Sequence, residues 1–173
     1  MDFLTLAQER YSCRYFDTEK PIEKEKIAKI LEAARLAPTG RNSQSQRILV
    51  LTDKAELEKL SGCTQYGWGA PLVMVICYDK NESWKRSCDG ADGGIIDTSI
   101  ITTHMMLEVT DLGLGSTWVG AFDPVKAKEI YNIPENYEVI ALLPIGYPSE
   151  KAHPSRLHDD RKPIEEIAFF NKF

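Results

Sequence analysis

Arg10, Ser12 and Arg14 stand at alternate positions in the stretch Arg10-Tyr-Ser-Cys-Arg-Tyr-Phe16. In extended backbone, residues two apart project to the same side, so these three can meet on one anion. Two guanidinium forks and a hydroxyl suit a phosphate monoester. Taken alone, a surface turn with solvated arginines has the better prior, because charged side chains are mostly exposed. Cys13 falls on the opposite side of the strip. A second polar group is Asn42-Ser-Gln-Ser-Gln46, just after Ala37-Pro-Thr-Gly-Arg41. These residues can serve turn formation alone. Asn42 and Gln44 can also do more: a carboxamide carries both donor and acceptor, which matches the edge of a heteroaromatic ring with alternating N–H and C=O groups. A third group is Ser116-Thr-Trp-Val-Gly-Ala-Phe122, where Gly120 permits close approach of backbone to a ligand.

The elements that must position these groups centre on Gly93 to Asp123. Two glycines open this stretch, and a long helix over about 95–112 comes next. At about 100° per residue, Ile96, Ile100 and Leu107 share one face, and Ile101, Met105, Val109 and Leu112 share another. Asp97, His104, Glu108 and Asp111 form a narrow polar strip between them. A helix on one sheet needs one apolar stripe; two stripes predict a sheet on one side and a second subunit on the other. Gly113 and Gly115 end the helix. Gly113-Leu-Gly115 is not a dinucleotide fingerprint, which follows a strand, opens a helix and needs a further glycine where Trp118 stands. His104 lies more than two helical turns from the glycine-rich turn and reads as a surface or interface histidine.

Before this helix, Asp2 caps a first helix with Phe3, Leu6 and Ala7 at helical spacing. Pro21 opens a second, about Glu23 to Leu36, with Ile27, Ile30, Leu31 and Ala34 inward. Arg47–Thr52 reads as a strand and Asp53–Ser61 as a short helix capped by Asp53, with Leu57 and Leu60 inward. Leu72–Tyr78 is continuously apolar, as in a central strand buried on both faces. Asp79–Gly94 is a charged loop carrying Trp84, either a mobile flap over a pocket or plain surface. After the long helix, Asp123-Pro124 starts another helix through Tyr131, and Tyr137–Ile145 is a second buried strand. Ser149–Lys162 is a polar loop with Arg156, His158 and Arg161, and Pro163–Ala168 forms a last turn. Phe169, Phe170 and Phe173 end the chain and are expected to pack on a partner.

The 173 residues suffice for one domain, 1–173, with its own core; 43% are hydrophobic and 27% charged, an ordinary globular balance. A net charge of −5 implies no global attraction to nucleic acid or anionic membrane. Cys13, Cys63, Cys77 and Cys88 show neither disulfide nor metal spacing and read as free thiols of a cytoplasmic protein. The amphipathic N-terminus is not a signal sequence, and no apolar run is long enough for a membrane span.

Together these motifs resemble the FMN-dependent nitroreductase family, specifically its short single-domain members. The resemblance spans nearly the whole chain through Arg10–Phe16, Ala37–Gln44, Gly113–Phe122, and Gly146-Tyr-Pro148 with Arg161-Lys-Pro-Ile-Glu-Glu166. It implies an α+β fold with a mixed, mainly antiparallel sheet flanked by helices, in an intertwined homodimer with two FMN molecules at the interface. It implies that Arg10, Ser12, Arg14 and Arg161 hold the FMN phosphate, with Tyr11 helping through its backbone. Pro38, Thr39, Asn42 and Gln44 would meet the ring and ribityl chain, and the backbone of Trp118, Val119, Gly120 and Ala121 the N5 and O4 edge. Two positions depart from the family pattern. Ser45 and Gln46 replace a common Pro-Trp, and Asp159 stands where many members carry a base, so Arg156 or Lys162 could complete the phosphate site instead of Arg161.

The implied activity is transfer of hydride from NAD(P)H through flavin N5 to a quinone, a nitroaromatic or a free flavin. No protein acid or nucleophile and no metal is called for. Relatives of the fold also remove halogen reductively or fragment reduced flavin, and a non-catalytic flavin-binding dimer is a third class. For a 2′-phosphate on the reductant, Arg35, Arg41 and Arg86 are the available cations.

Overall fold

The computed structural model describes residues 2–173. Four strands form one sheet in the order β1-β2-β4-β3, where β1 is Gln46–Leu51, β2 Leu72–Asp79, β3 Gly115–Ser116 and β4 Tyr137–Gly146. Every pairing between these strands is antiparallel; the parallel contribution is the isolated bridge from Ser12 to Ser116. The four-stranded sheet itself is therefore antiparallel, with that single parallel bridge at its edge.

β2 lies inside the sheet and is buried at every position, as its unbroken apolar run requires. Strand alternation divides its side chains between two cores. Leu72, Met74 and Ile76 pack with Ile30 and Ala34 of helix α2 (Lys24–Leu36) and with Ile101, Met105 and Val109 of helix α4 (Gly94–Asp111). Val73, Val75 and Cys77 pack on the other face with Cys13, Phe16, Leu60 and Ala127. Ala127 belongs to helix α5 (Pro124–Tyr131), whose cap Asp123 accepts from the backbone N–H groups of Val125 and Lys126.

α4 departs from the simple helical wheel. Ile101, Met105 and Val109 are buried as expected and Ile96 is 62% exposed, which fits one stripe on the sheet and one outward. Asp97 does not lie on a solvated strip: it is buried, at 5% exposure. The helix also buries Thr98 and Thr102, whose hydroxyls donate back to the carbonyls of Gly94 and Thr98 and so leave no unpaired group. The helix ends at Gly113, φ +72°, where Leu114 N–H returns to the Val109 carbonyl. His104 is exposed, with Nδ1 2.9 Å from the carbonyl of Ile100 one turn back.

α2 begins at Lys24, within one residue of the expected start at about Glu23. Glu23 stays extended as its cap residue, and its carboxylate accepts from the Tyr147 hydroxyl at 2.7 and 2.9 Å. Helix α3 is only Lys54–Glu58, continued by a 3-10 turn Lys59–Gly62, and Asp53 makes no side-chain cap bond. Residues 79–93 form a tied surface loop. Asp79 accepts from Asn81 N–H and Asn136 Nδ2, Lys85 pairs with Asp92, and Arg86 pairs with Asp89. Helix α1 (Phe3–Glu9), capped by Asp2, buries none of its residues and lies against α4. Beyond the 3-10 turn Ile164–Glu166, the aromatic tail is exposed, Phe170 at 88%.

Candidate functional site

The arginine strip runs alongside β3. Ser12 bridges Ser116, Cys13 N–H donates to the Ser116 carbonyl at 3.0 Å, and Thr117 Oγ1 donates to the Cys13 carbonyl. Alternation holds: Cys13 is fully buried, Arg10 and Ser12 are half-buried and Arg14 is exposed. A Cβ on Gly115 would stand 2.6 Å from Cys13 Cβ, so glycine there is what lets the strip dock. Tyr11 packs edge-on to His158, ring centroids 6.4 Å apart. Burial first, and Cys13 second, push its phenol up to about 12, so it stays neutral.

The late loop comes back to the same place. His158 Nε2 lies 2.8 Å from the Gln8 carbonyl, which brings Arg161 to Arg10. Burial, and then the positive charge of Arg161, hold Arg10 below its ordinary range. Arg161 Nη1 donates to the carbonyls of Leu157 and Asp160. Among the described residues, Arg10, Arg14 and Arg161 form no ion pair, and Asp159 is not a partner of Arg161. Lys162 pairs with Glu166 at 3.7 Å. Neighbouring guanidiniums without a counter-ion make a local positive patch on an otherwise acidic chain.

The segment after β3 adjoins this cluster. Val119 is buried and exchanges hydrogen bonds with Leu142 at 2.9 and 3.0 Å, while Trp118 is half-buried. Gly120 and Ala121 are exposed, and among the described residues their N–H groups have no acceptor. The Ala121 carbonyl accepts from Thr64 Oγ1 at 2.9 Å. Two adjacent free N–H groups are what an acceptor edge needs.

The carboxamide loop is strained. Arg41, Asn42 and Gln44 have φ of +54°, +57° and +48°, a left-handed conformation that costs of the order of 1 kcal/mol per non-glycine residue. Local bonds offset this: Asn42 N–H to the Thr39 carbonyl at 2.9 Å, Ser43 N–H to the Gly40 carbonyl at 3.1 Å and Gln44 N–H to Thr39 Oγ1 at 3.1 Å. Pro38, Asn42 and Gln44 are exposed and Thr39 is half-buried. The Asn42 carboxamide has no partner among the described residues, and Gln44 Nε2 reaches only the Asn42 carbonyl at 3.4 Å. The loop hangs from Asp97, both of whose oxygens lie 3.0 Å from Gly40 N. Asp97 and Trp84 are the residues that sequence reasoning missed here; the Gly93-Gly94 pair before the helix was the available signal of close packing.

Within one chain these pieces form two clusters. Arg10, Tyr11, Ser12, Arg14 and Arg161 gather near the Ile145 end of β4, where Ser12 bridges Ser116, and the segment 116–121 runs from there along β4, with Val119 opposite Leu142. Pro38, Thr39, Asn42 and Gln44 lie near its Tyr137 end, because Ser45 accepts from Asp79 N–H and Asp79 pairs with Tyr137. Tyr137 and Ile145 are about 27 Å apart along a strand. A cavity of about 880 Å³ is lined by Thr18, Ile22, Leu57, Gln65, Ala70 and others, and none of these site residues lines it. A site open to a neighbouring molecule encloses no volume in a single chain. No group of three His, Cys, Asp or Glu among the described residues could hold a metal ion, and no helix among them is long and apolar enough to cross a membrane.

Comparison with known proteins places these motifs in a family. The model described as "Nitroreductase family" matches residues 7–65 and 62–147, which includes the strip, the carboxamide loop and 116–122 but stops short of Arg161. The chain is similar to a crystallised nitroreductase family protein of Clostridium difficile 630, at 42% identity and a TM-score of 0.93 over all of both chains. It also resembles an FMN-dependent nitroreductase of Clostridium difficile R20291, at 29% identity and a TM-score of 0.83, over 99% of this chain and 100% of that one. An Archaeoglobus fulgidus protein, provisionally named NADH dehydrogenase/NAD(P)H nitroreductase, is 31% identical over 91% of this chain and 97% of its own length.

Proposed function

The chain belongs to the nitroreductase family, and on that premise we propose that it is an FMN-dependent oxidoreductase that takes hydride from NAD(P)H and reduces a quinone, a nitroaromatic or a free flavin. The observation that carries the reading is the uncompensated pair Arg10 and Arg161 on the strip that bridges Ser116, with the free N–H groups of Gly120 and Ala121 farther along the same segment. These groups fit FMN: cations for a terminal phosphate at one end, backbone donors for the acceptor edge of its ring at the other.

Arg10, Arg14 and Arg161 bind the phosphate by charge-assisted hydrogen bonds and Ser12 adds a hydroxyl; Tyr11 contributes backbone only. The N–H groups of Gly120 and Ala121 orient the ring edge, with Trp118 and Val119 fixing their backbone. Pro38, Thr39, Asn42 and Gln44 act on the ring from a second copy; this reading is supported by their place near the Tyr137 end of β4 while the phosphate strip lies near its Ile145 end. The working unit is a homodimer, and the exposed stripe of α4 and the aromatic tail supply its apolar surface. FMN, when bound, is the carrier that accepts hydride from the nicotinamide and passes reducing equivalents to the second substrate. The chain's own task is to bind, orient and shield it.

The test is spectroscopic. The purified protein takes up one FMN per subunit, bleaches anaerobically with NADH or NADPH, and recovers its yellow absorbance on addition of a quinone or nitroarene. A protein that takes up no FMN, or holds FMN that neither nicotinamide reduces, overturns the proposal.

A further inference from the structure

Asp97 is a buried carboxylate aimed at one backbone group. Both of its oxygens lie 3.0 Å from Gly40 N, and Ser43 Oγ is a more distant donor at 3.5 Å. Among the described residues it has no cationic partner. Burying a charge without a counter-ion is costly. Its place in the first turn of α4, at the positive end of an 18-residue helix, offsets part of that cost. An apolar side chain would fill the same space without it.

Gly40 is held from another direction as well. A Cβ built on it would stand 3.1 Å from Trp84 Cβ and Cγ, and one built on Gly93 would stand 2.7 Å from Trp84 Cε3. The indole is thus wedged between the loop and the start of α4. Holding Gly40 in place also holds its neighbours: its carbonyl receives Ser43 N–H, and Thr39 before it receives Asn42 N–H and Gln44 N–H. The clamp therefore sets the three left-handed residues and the direction of the Asn42 and Gln44 carboxamides.

We propose that Asp97 and Trp84 are positioning residues for the flavin ring: together they hold Gly40 so that Asn42 and Gln44 meet the ring of an FMN whose phosphate lies on the partner copy. The inference rests on the proposed binding of FMN. The buried negative charge of Asp97 also opposes the negative charge that the ring gains on reduction, so the clamp keeps the bound flavin a stronger reductant.

The experiment compares Asp97→Asn and Trp84→Ala with wild type and Arg10→Ala. Each is titrated with FMN and with riboflavin, which lacks the phosphate, and its visible-region circular dichroism and midpoint potential are recorded. Asp97→Asn keeps the size and one acceptor of the side chain. It is expected to raise the potential, making reduced FMN about tenfold more favoured relative to oxidised, about 30 mV for a two-electron couple. Trp84→Ala, in a surface loop, carries the test should Asp97→Asn not fold. It is expected to weaken FMN and riboflavin by the same factor and to change the flavin dichroism, whereas Arg10→Ala weakens FMN alone. Wild-type affinities and dichroism in Trp84→Ala, or a folded Asp97→Asn with a wild-type potential, overturn the inference while leaving FMN binding intact. A wild type that binds neither flavin overturns both.

Discussion

Arg10 and Arg161 lie together with no carboxylate between them, and such an arrangement stores repulsion that an anion relieves. A charge-assisted hydrogen bond contributes about 1.5–3 kcal/mol, so Arg10→Ala, Arg14→Ala and Arg161→Ala should each weaken FMN by about tenfold or more, measured by fluorescence titration. Cys13→Ala should scarcely change it, because Cys13 packs inward against Gly115. Asp159→Lys adds a cation beside an unpaired arginine and should tighten binding; if Arg161→Ala binds like wild type, the phosphate depends on the N-terminal strip alone. The structure also separates the three arginines open to a 2′-phosphate. Arg35 is paired with Glu32 and Arg86 with Asp89, whereas Arg41 is exposed with no ionic partner among the described residues. Arg41→Ala should therefore change the ratio of kcat/KM for NADPH over NADH, and Arg35→Ala and Arg86→Ala should not. The strip was legible in the sequence because strand alternation is local geometry. Asp97 was not: a helical wheel gives its angle beside His104 and Glu108, but not the Gly40 N–H that a distant loop places opposite it.

At the scale of elements, the start of α4 is held by a small network that titrates. Asp92 accepts from Gly94 N–H at 2.8 Å and from Lys85 Nζ at 2.6 Å. Burial alone would raise its pKa, but the bonds from Lys85, Gly94 and Ser83 outweigh burial and take it from 3.8 to about 2. A folded-state value below the unfolded one means stability that is fully present above about pH 4 and lost as pH falls toward 2. Unscreened, the shift would correspond to about 2 kcal/mol, and solvent around the partly exposed Lys85–Asp92 pair reduces it. Asp92→Asn should lower the melting temperature at pH 7 and flatten its fall between pH 4 and 2. Gly94, next in line, has no room for a side chain, since a Cβ there would come within 2.2 Å of the Tyr78 ring. Helix ends that depend on their own residues were readable: Asp123 with Pro124 at one end, Gly113 at another. The start of α2 was readable to within a residue, but not the Tyr147 hydroxyl, far along the chain, that meets the Glu23 carboxylate there.

At the scale of the molecule, the two halves of the candidate site lie at opposite ends of α4. Asp97 anchors the carboxamide loop in its first turn, and the segment leading to Gly120 and Ala121 leaves its last; Asp97 to Asp111 alone is about 21 Å of helix. On the proposed reading, an FMN with its phosphate on Arg10 meets the loop of a second chain, and the exposed apolar surface of α1, α4 and the tail is available to such a partner. Removing Phe169–Phe173 should therefore lower thermal stability and flavin retention together. Complementation is the sharper test of a split site. Arg10→Ala damages the phosphate end and Asn42→Ala the ring end, so each homodimer carries two damaged sites. In a heterodimer of the two variants, one site combines both lesions. The other takes its phosphate strip from the Asn42→Ala chain and its loop from the Arg10→Ala chain, and is intact. Co-expressed and separated by different affinity tags, the heterodimer should bind one FMN per two chains with wild-type affinity, while neither homodimer does. Binding no better than the parent homodimers would mean that strip and loop serve the same site within one chain, or that the loop does not reach the flavin at all.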